Sequence, residues 1–258
     1  MLTKKLLPAA VAATLVAGAG ITRAQDKVIV EGDAMPFEIS ANVTLTSDYR
    51  FRGISQSDES VAIQGGFDAE FAAGFYAGVW GSTVDFDTNF NDSEDFDGLD
   101  GSLELDYYAG WASDLGNNGL GIDVGVLYYD YPGDDGQEGD YWEVYGSMSW
   151  NDLAVGVHYS DDYYAETDEF WYVYADYGFS IFWDLGVGLH VGYNMLEEDG
   201  GFLSSDEDAY FDYSVSLSKE WVGVEWAVAW VGTDLDDDDV FGTDWADDTV
   251  VFSVSKSF

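Results

Sequence analysis

Along most of the chain apolar residues recur at every second position. That is the period of a strand whose side chains point alternately to two faces. The first run places Ile39, Ala41, Val43, Leu45, Tyr49 and Phe51 on one face, and Ser40, Asn42, Thr44, Thr46, Arg50 and Arg52 on the other. Later runs repeat the pattern, among them Val61-Ile63-Phe67-Ala69-Phe71, Leu185-Val187-Leu189-Val191-Tyr193 and Val250-Phe252-Val254. The count reaches about twelve strands, and no segment beyond the first residues carries a helical period. This predicts an all-β, antiparallel, up-and-down barrel.

The connections alternate in length. Short links are read at Ala72-Ala73-Gly74, Asn151-Asp152, Ser180-Ile181 and Lys219-Glu220, with an intermediate one from Ala112 to Leu120. The other links are longer and acidic: windows 55–60, 85–100, 130–140, 160–169, 194–208 and 233–248 hold 33 of the 51 acidic residues. One edge thus bears most of the charge and the other is trimmed to turns, as in a transmembrane barrel with long extracellular loops and short periplasmic turns. Aromatics mark the strand ends. Phe71, Phe75, Trp111, Trp150, Phe179 and Trp183 fall near the short turns, while Tyr49, Phe51, Tyr128, Trp142, Tyr159, Trp171, Tyr193 and Trp230 fall near the long loops. Rings at both interfaces would form two girdles.

The start of the chain sets the compartment. Lys4 and Lys5 precede an apolar run from Leu6 to Gly20 and a small-residue exit at Thr22-Arg23-Ala24, the pattern of a secretory signal peptide. We read 1–24 as the signal peptide, with cleavage after Ala24 and Ala17-Gly18-Ala19 as a rival site. Residues 25–258 form the barrel, opened by a short periplasmic N-terminal segment, 25–37. No later stretch reaches the roughly 20 apolar residues of a spanning helix, so any crossing is made by a closed barrel. With no cysteine there is neither a disulfide framework nor thiolate chemistry.

Charge narrows the partners. The formal net charge is −43, and without Lys4, Lys5 and Arg23 only five basic residues face the 51 acidic ones. This excludes nucleic acid, whose binding needs a basic surface. A soluble barrel would alternate as well, but here the polar face is charged within strands, by Asp68, Glu70, Glu104, Asp106, Asp123, Glu143, Asp176, Asp212 and Glu225. With His190, Arg50 and Arg52, the first eight of these are the candidate pore-lining residues. Arg50 and Arg52, the last arginines of the chain, either contact anionic groups of a solute or form structural salt bridges.

The segment Ser47-Asp48-Tyr49-Arg50-Phe51-Arg52-Gly53-Ile54-Ser55-Gln56-Ser57 resembles the opening signature of the TorF family of porin-like proteins. Residues 74–82, 103–111 and 253–258 fit the same resemblance, which runs through the chain after the signal peptide. It implies an outer-membrane barrel with a channel role. The final strand ends in Phe258, which resembles the terminal signal read by the outer-membrane assembly machinery.

Other chemistry is thinner. His158 and His190 lie on the polar face, and Ser160 and Asp161 follow His158 without a nucleophile motif, so no catalytic residue and no cofactor is expected. The stretch 93–104 offers Asp95, Asp97, Gly98 and Glu104 at calcium-loop spacing, but starts on Ser93 and has no flanking helices. Loose divalent binding by Asp236, Asp237, Asp238 and Asp239, next to Asp234, competes with a simple solvated face. Lys219 and Lys256 read as snorkelling anchors near the short turns. The expected function is a bacterial outer-membrane channel for passive diffusion of small polar solutes or ions, cation-preferring, with lipid as its surroundings. The alternatives are a non-transporting surface barrel whose acidic loops bind cations or a partner, and an outer-membrane enzyme.

Overall fold

The computed structural model describes residues 28–30, 37–86, 102–133, 139–197 and 201–258. The signal peptide, most of the 25–37 segment and the calcium-like positions Asp95, Asp97 and Gly98 lie outside them. In chain order the strands are β1 (Val28–Val30), β2 (Phe37–Thr46), β3 (Arg50–Phe51), β4 (Ile54–Ser55) and β5 (Ala62–Phe71). They continue with β6 (Phe75–Thr83), β7 (Leu103–Asp114), β8 (Leu120–Asp130), β9 (Tyr141–Trp150) and β10 (Leu153–Ser160). The last are β11 (Phe170–Ile181), β12 (Leu185–Met195), β13 (Ala209–Trp221), β14 (Val224–Thr233) and β15 (Thr249–Ser257).

From β5 to β15 every strand pairs antiparallel with its sequence neighbour, and β2 pairs with both β5 and β15. The sheet therefore closes into a twelve-stranded barrel made of β2 and β5–β15. Closure leaves no open edge, so backbone donors and acceptors are satisfied within the wall. The seam is uneven. β15 pairs with Asn42–Thr46 of β2, whereas β1 pairs with Phe37–Ile39 and continues the same edge where β15 ends.

The two faces now have directions. Val43, Leu45, Ile63, Phe67, Val144 and Phe252 point outward and are exposed, Phe67 to 63%. Inward-pointing Glu104, Asp106, Glu143, Asn194 and Asp212 are buried, Glu143 completely. Alternation alone is silent on which face is inside; here the apolar one is outside. A contiguous apolar belt of this kind is what a barrel presents to lipid.

Some boundaries differ from the sequence reading. The first run ends at Thr46, after which the chain turns inward. Tyr49 and Phe51 therefore do not belong to an outer girdle; they are 1% and 9% exposed inside the barrel. Lys219 and Glu220 remain in β13, and the turn is Val222-Gly223, with φ of 57° and 72°. Two successive positive φ values define a type I′ hairpin turn, usually carried by Asn-Gly, so Val222 hid it. Ser180 and Ile181 likewise belong to β11, and the link is Phe182–Asp184. The Lys219 ammonium donates to the Trp183 carbonyl at this edge.

The inner wall is lined by tyrosines lying over glycines. A Cβ built on Gly125 would sit 2.2 Å from the Tyr145 hydroxyl and 2.7 Å from the Ala109 carbonyl oxygen. One on Gly110 would meet the Tyr76 hydroxyl at 2.4 Å and the Val124 carbonyl oxygen at 2.7 Å. Because one obstacle in each case is backbone, the Tyr ring cannot relieve the clash by moving. Gly110→Ala and Gly125→Ala should each destabilise the barrel by about 1–3 kcal/mol, the usual cost of overpacking. Urea unfolding in lipid vesicles measures this, and a midpoint equal to wild type would show that the wall yields.

Candidate functional site in the barrel lumen

Between β2 and β5 the chain forms an inward β-hairpin. β3 and β4 pair Arg50 with Ser55 and Phe51 with Ile54. Arg52 and Gly53 form the tip, with φ of 48° and 86°, again the two-residue turn whose twist suits a hairpin. Gly53 is required there by φ and by space, since a Cβ would lie 2.3 Å from Thr233 Cγ2 of β14.

The hairpin reaches the far wall. Arg52 Nη2 donates to Glu143 Oε1 on β9 at 2.6 Å, and Nη1 to the Tyr163 hydroxyl at 3.1 Å. Its guanidinium lies 4.7 Å from the Phe51 and Phe170 ring centres and 4.5 Å from that of Tyr172. Stacking on ring faces suits the flat, weakly hydrated guanidinium. Burial pushes the Tyr163 phenol up to about 12, against the opposing pull of Arg52.

Arg50 fastens the base of the hairpin. Its Nε donates to Asp48 Oδ2 at 2.5 Å and its Nη2 to Glu59 Oε1 at 3.0 Å. Nη1 donates to the carbonyls of Gly53 at 3.2 Å, Trp245 at 2.5 Å and Asp247 at 3.2 Å. Trp245 answers by donating from its indole to Asp58 Oδ1 at 2.9 Å. The β14–β15 loop and the hairpin are thus laced together over the lumen. On the other side the Tyr49 hydroxyl donates to Glu104 Oε1 at 3.1 Å, and its ring meets Trp80 edge-on at 5.6 Å.

Arg50 and Arg52, expected on the polar face of the first strand, lie instead on the hairpin that follows it. Both are 2% exposed and held by carboxylates, Arg50 by Asp48 and Glu59 and Arg52 by Glu143.

The wall residues fall into groups. Glu143 Oε2 also accepts from the Tyr129 hydroxyl at 3.2 Å and lies 2.8 Å from His158 Nδ1. His158 therefore partners Glu143, not the neighbouring Ser160 or Asp161; Ser160 Oγ instead accepts from the Asp162 amide. Among the described residues no serine or threonine hydroxyl bonds His158. His190 sits between two carboxylates, Nδ1 2.7 Å from Asp176 and Nε2 2.9 Å from Asp212, with the Tyr172 hydroxyl also 2.9 Å from Nε2. Donating to both carboxylates takes two ring N–H groups. Asn194 completes this group by donating to Asp212 Oδ2 at 2.8 Å.

Asp123 accepts from the Tyr76 hydroxyl at 2.6 Å, and Asp68 from that of Tyr108. Glu70 is half-buried lower on β5, opposite Glu38 and Tyr76. Glu104 and Asp106 lie together on β7. The quartet Asp236–Asp239 does not converge: the half-buried Asp239 accepts from the Asp236 amide through Oδ2 at 2.8 Å, whereas Asp237 joins Asp244 and Asp247 in a cluster of exposed carboxylates.

Sequence reading missed the tyrosines Tyr76, Tyr108, Tyr129, Tyr145 and Tyr172, with Gln64 and Asn194. The signal was present for Gln64, Tyr108, Tyr129, Tyr145 and Tyr172, which share the parity of the acidic residues in their own strands, and for Asn194, which shares that of His190. The contribution of Trp245 was not legible, since it depends on where a long loop folds.

Comparison with solved structures matches this architecture to porins. The chain is similar to the KdgM porin, with a TM-score of 0.50, 11% identity, and coverage of 85% of this chain and 98% of that one. It is similar to the NanC porin at a TM-score of 0.50, 13% identity, and coverage of 84% and 97%. At such identities the likeness concerns the fold. No curated protein matches the sequence. A family model matches residues 30–258, nearly the whole chain, and the chain accordingly belongs to the family described as bacterial protein of unknown function (Gcw_chp).

Proposed function

We propose that this chain is an outer-membrane channel for passive diffusion of small polar solutes or ions, with a preference for cations. One observation carries the reading: a closed barrel with an apolar outside and an acidic, hydrogen-bonded inside. Such a wall suits lipid on one side and water on the other. The porin neighbours support it at the level of fold, and one of them is described in complex with disordered oligogalacturonate. The chain is exported through its signal peptide, assembled through the strand ending in Phe258, and oriented with the long acidic loops outward. The TorF-like stretch Ser47–Ser57 supplies the inward hairpin, which acts as the constriction.

Cation preference follows from charge placement. The loop carboxylates ring the outer mouth, and Arg50 and Arg52 are neutralised by Asp48, Glu59 and Glu143. Clustered charge of one sign at a low-dielectric mouth concentrates counter-ions. Screening limits that field to about 10 Å at 0.1 M salt. Reversal potentials in planar bilayers should therefore show potassium preferred over chloride, most strongly in dilute salt. Chloride preference at low salt would reject the cation assignment.

A second reading, a barrel that does not conduct, draws on the packing of the hairpin. Tyr49, Phe51, Tyr129, Tyr141, Tyr163 and Phe170 pack together inside the barrel at the long-loop end. The same bilayer recording separates the two, because a non-conducting barrel gives no unitary steps.

A further inference from the structure

Two buried carboxyl groups touch on the lumen wall with no basic side chain beside them. Glu104 and Asp106, 1% and 2% exposed, lie two residues apart on β7 and point inward together, within hydrogen-bond contact of each other. Among the described residues neither is in an ion pair. Arg50 is engaged by Asp48 and Glu59, and Arg52 by Glu143. Glu104 Oε1 takes the Tyr49 hydroxyl, but Glu104 Oε2 and Asp106 Oδ1 have no hydrogen-bond partner.

A third buried polar side chain, Gln64, faces inward beside them. Register places Gln64 opposite Ser82 and Ser82 opposite Glu104, so the three share one inward row across β5, β6 and β7. Gln64 is 2% exposed, and neither its amide oxygen nor its amide nitrogen is bonded. A buried polar group left unpaired is costly, and carboxylates in contact repel unless a positive charge lies between them.

We propose that Glu104, Asp106 and Gln64 form a binding site for a hard divalent cation of the calcium type. The donors are two carboxylates and an amide oxygen, with the Tyr49 hydroxyl oxygen at the rim. No histidine or cysteine takes part in it. All-oxygen, irregular coordination suits calcium and does not suit zinc or copper. A proton shared between Glu104 and Asp106 is the rival account, but it leaves the Gln64 amide oxygen without the partner that a cation supplies. The site is independent of whether the barrel conducts.

The test uses the full chain refolded in detergent, with terbium as the probe and calcium as competitor. Trp80 is the cross-strand partner of Asp106 and lies 5.6 Å from Tyr49, so both rings can sensitise terbium emission. Wild type should show emission that calcium displaces, and calcium should raise its thermal unfolding midpoint. Both effects should fall at least tenfold in Glu104→Gln/Asp106→Asn and persist in Asp237→Asn/Asp244→Asn, which removes the exposed loop cluster. Should the first variant fail to fold, Gln64→Leu leaves the acids in place and should weaken calcium competition several-fold. Calcium-displaceable emission that survives the wall variants, or is lost only in the loop variant, would overturn the site. So would a wild-type midpoint indifferent to calcium, the outcome of the shared proton.

Discussion

Replacing Arg52 by Ala should remove about 3–5 kcal/mol of stability, the cost of breaking a buried ion pair from one side. The change leaves Glu143, wholly buried, with only His158 and Tyr129 as partners. It also strips a cation from among the rings of Phe51, Phe170 and Tyr172. The charge left behind, more than the lost contact, sets the size of the effect. Neutralising the other partner should therefore restore much of the loss, so Arg52→Met with Glu143→Gln should be closer to wild type than Arg52→Ala alone. Urea unfolding in lipid vesicles reads all three proteins. A loss below about 1 kcal/mol for Arg52→Ala, the range of an exposed pair, would mean that water reaches Glu143 in the lumen.

Gly53→Val should expel the hairpin and raise single-channel conductance several-fold. A side chain at φ 86° is strained wherever it lies, and here its Cβ would sit 2.3 Å from Thr233 Cγ2 and 3.1 Å from Asp212 Cβ. The walls of β13 and β14 are fixed by pairing, so the hairpin is the part that moves. Gly133→Val is the matched control, because Gly133 has φ of 99° but nothing within 4 Å of a built Cβ. It carries similar backbone strain, of order 1–3 kcal/mol, without the clash. Planar-bilayer recording should show larger unitary steps for Gly53→Val only. Unchanged steps from a correctly folded Gly53→Val barrel would show that the hairpin does not set the constriction.

The barrel was legible in the sequence because strand geometry writes itself at period two, and an apolar outer face with a polar inner one keeps that period clean. Ile63, Phe67 and Phe71 could be placed on one face, and Asp68 and Glu70 on the other, from spacing alone. The alternation of short and acidic connections then fixed an up-and-down order. What spacing could not supply was direction and distance. Whether Phe67 faces the inside or the outside of the barrel depends on closure of β2 against β15, a contact between parts of the chain far apart in sequence. The hairpin at Arg50–Ser55 was hidden for a related reason: its tip is Arg52-Gly53, and alternation continues through Tyr49 and Phe51 as if the first strand went on. Only the far wall shows otherwise, where Glu143, Phe170 and Tyr172 receive Arg52. The same holds for Gln64, Glu104 and Asp106, which lie on two strands with a third between them and fall on neighbouring inward rows only because strand register is a property of the closed sheet.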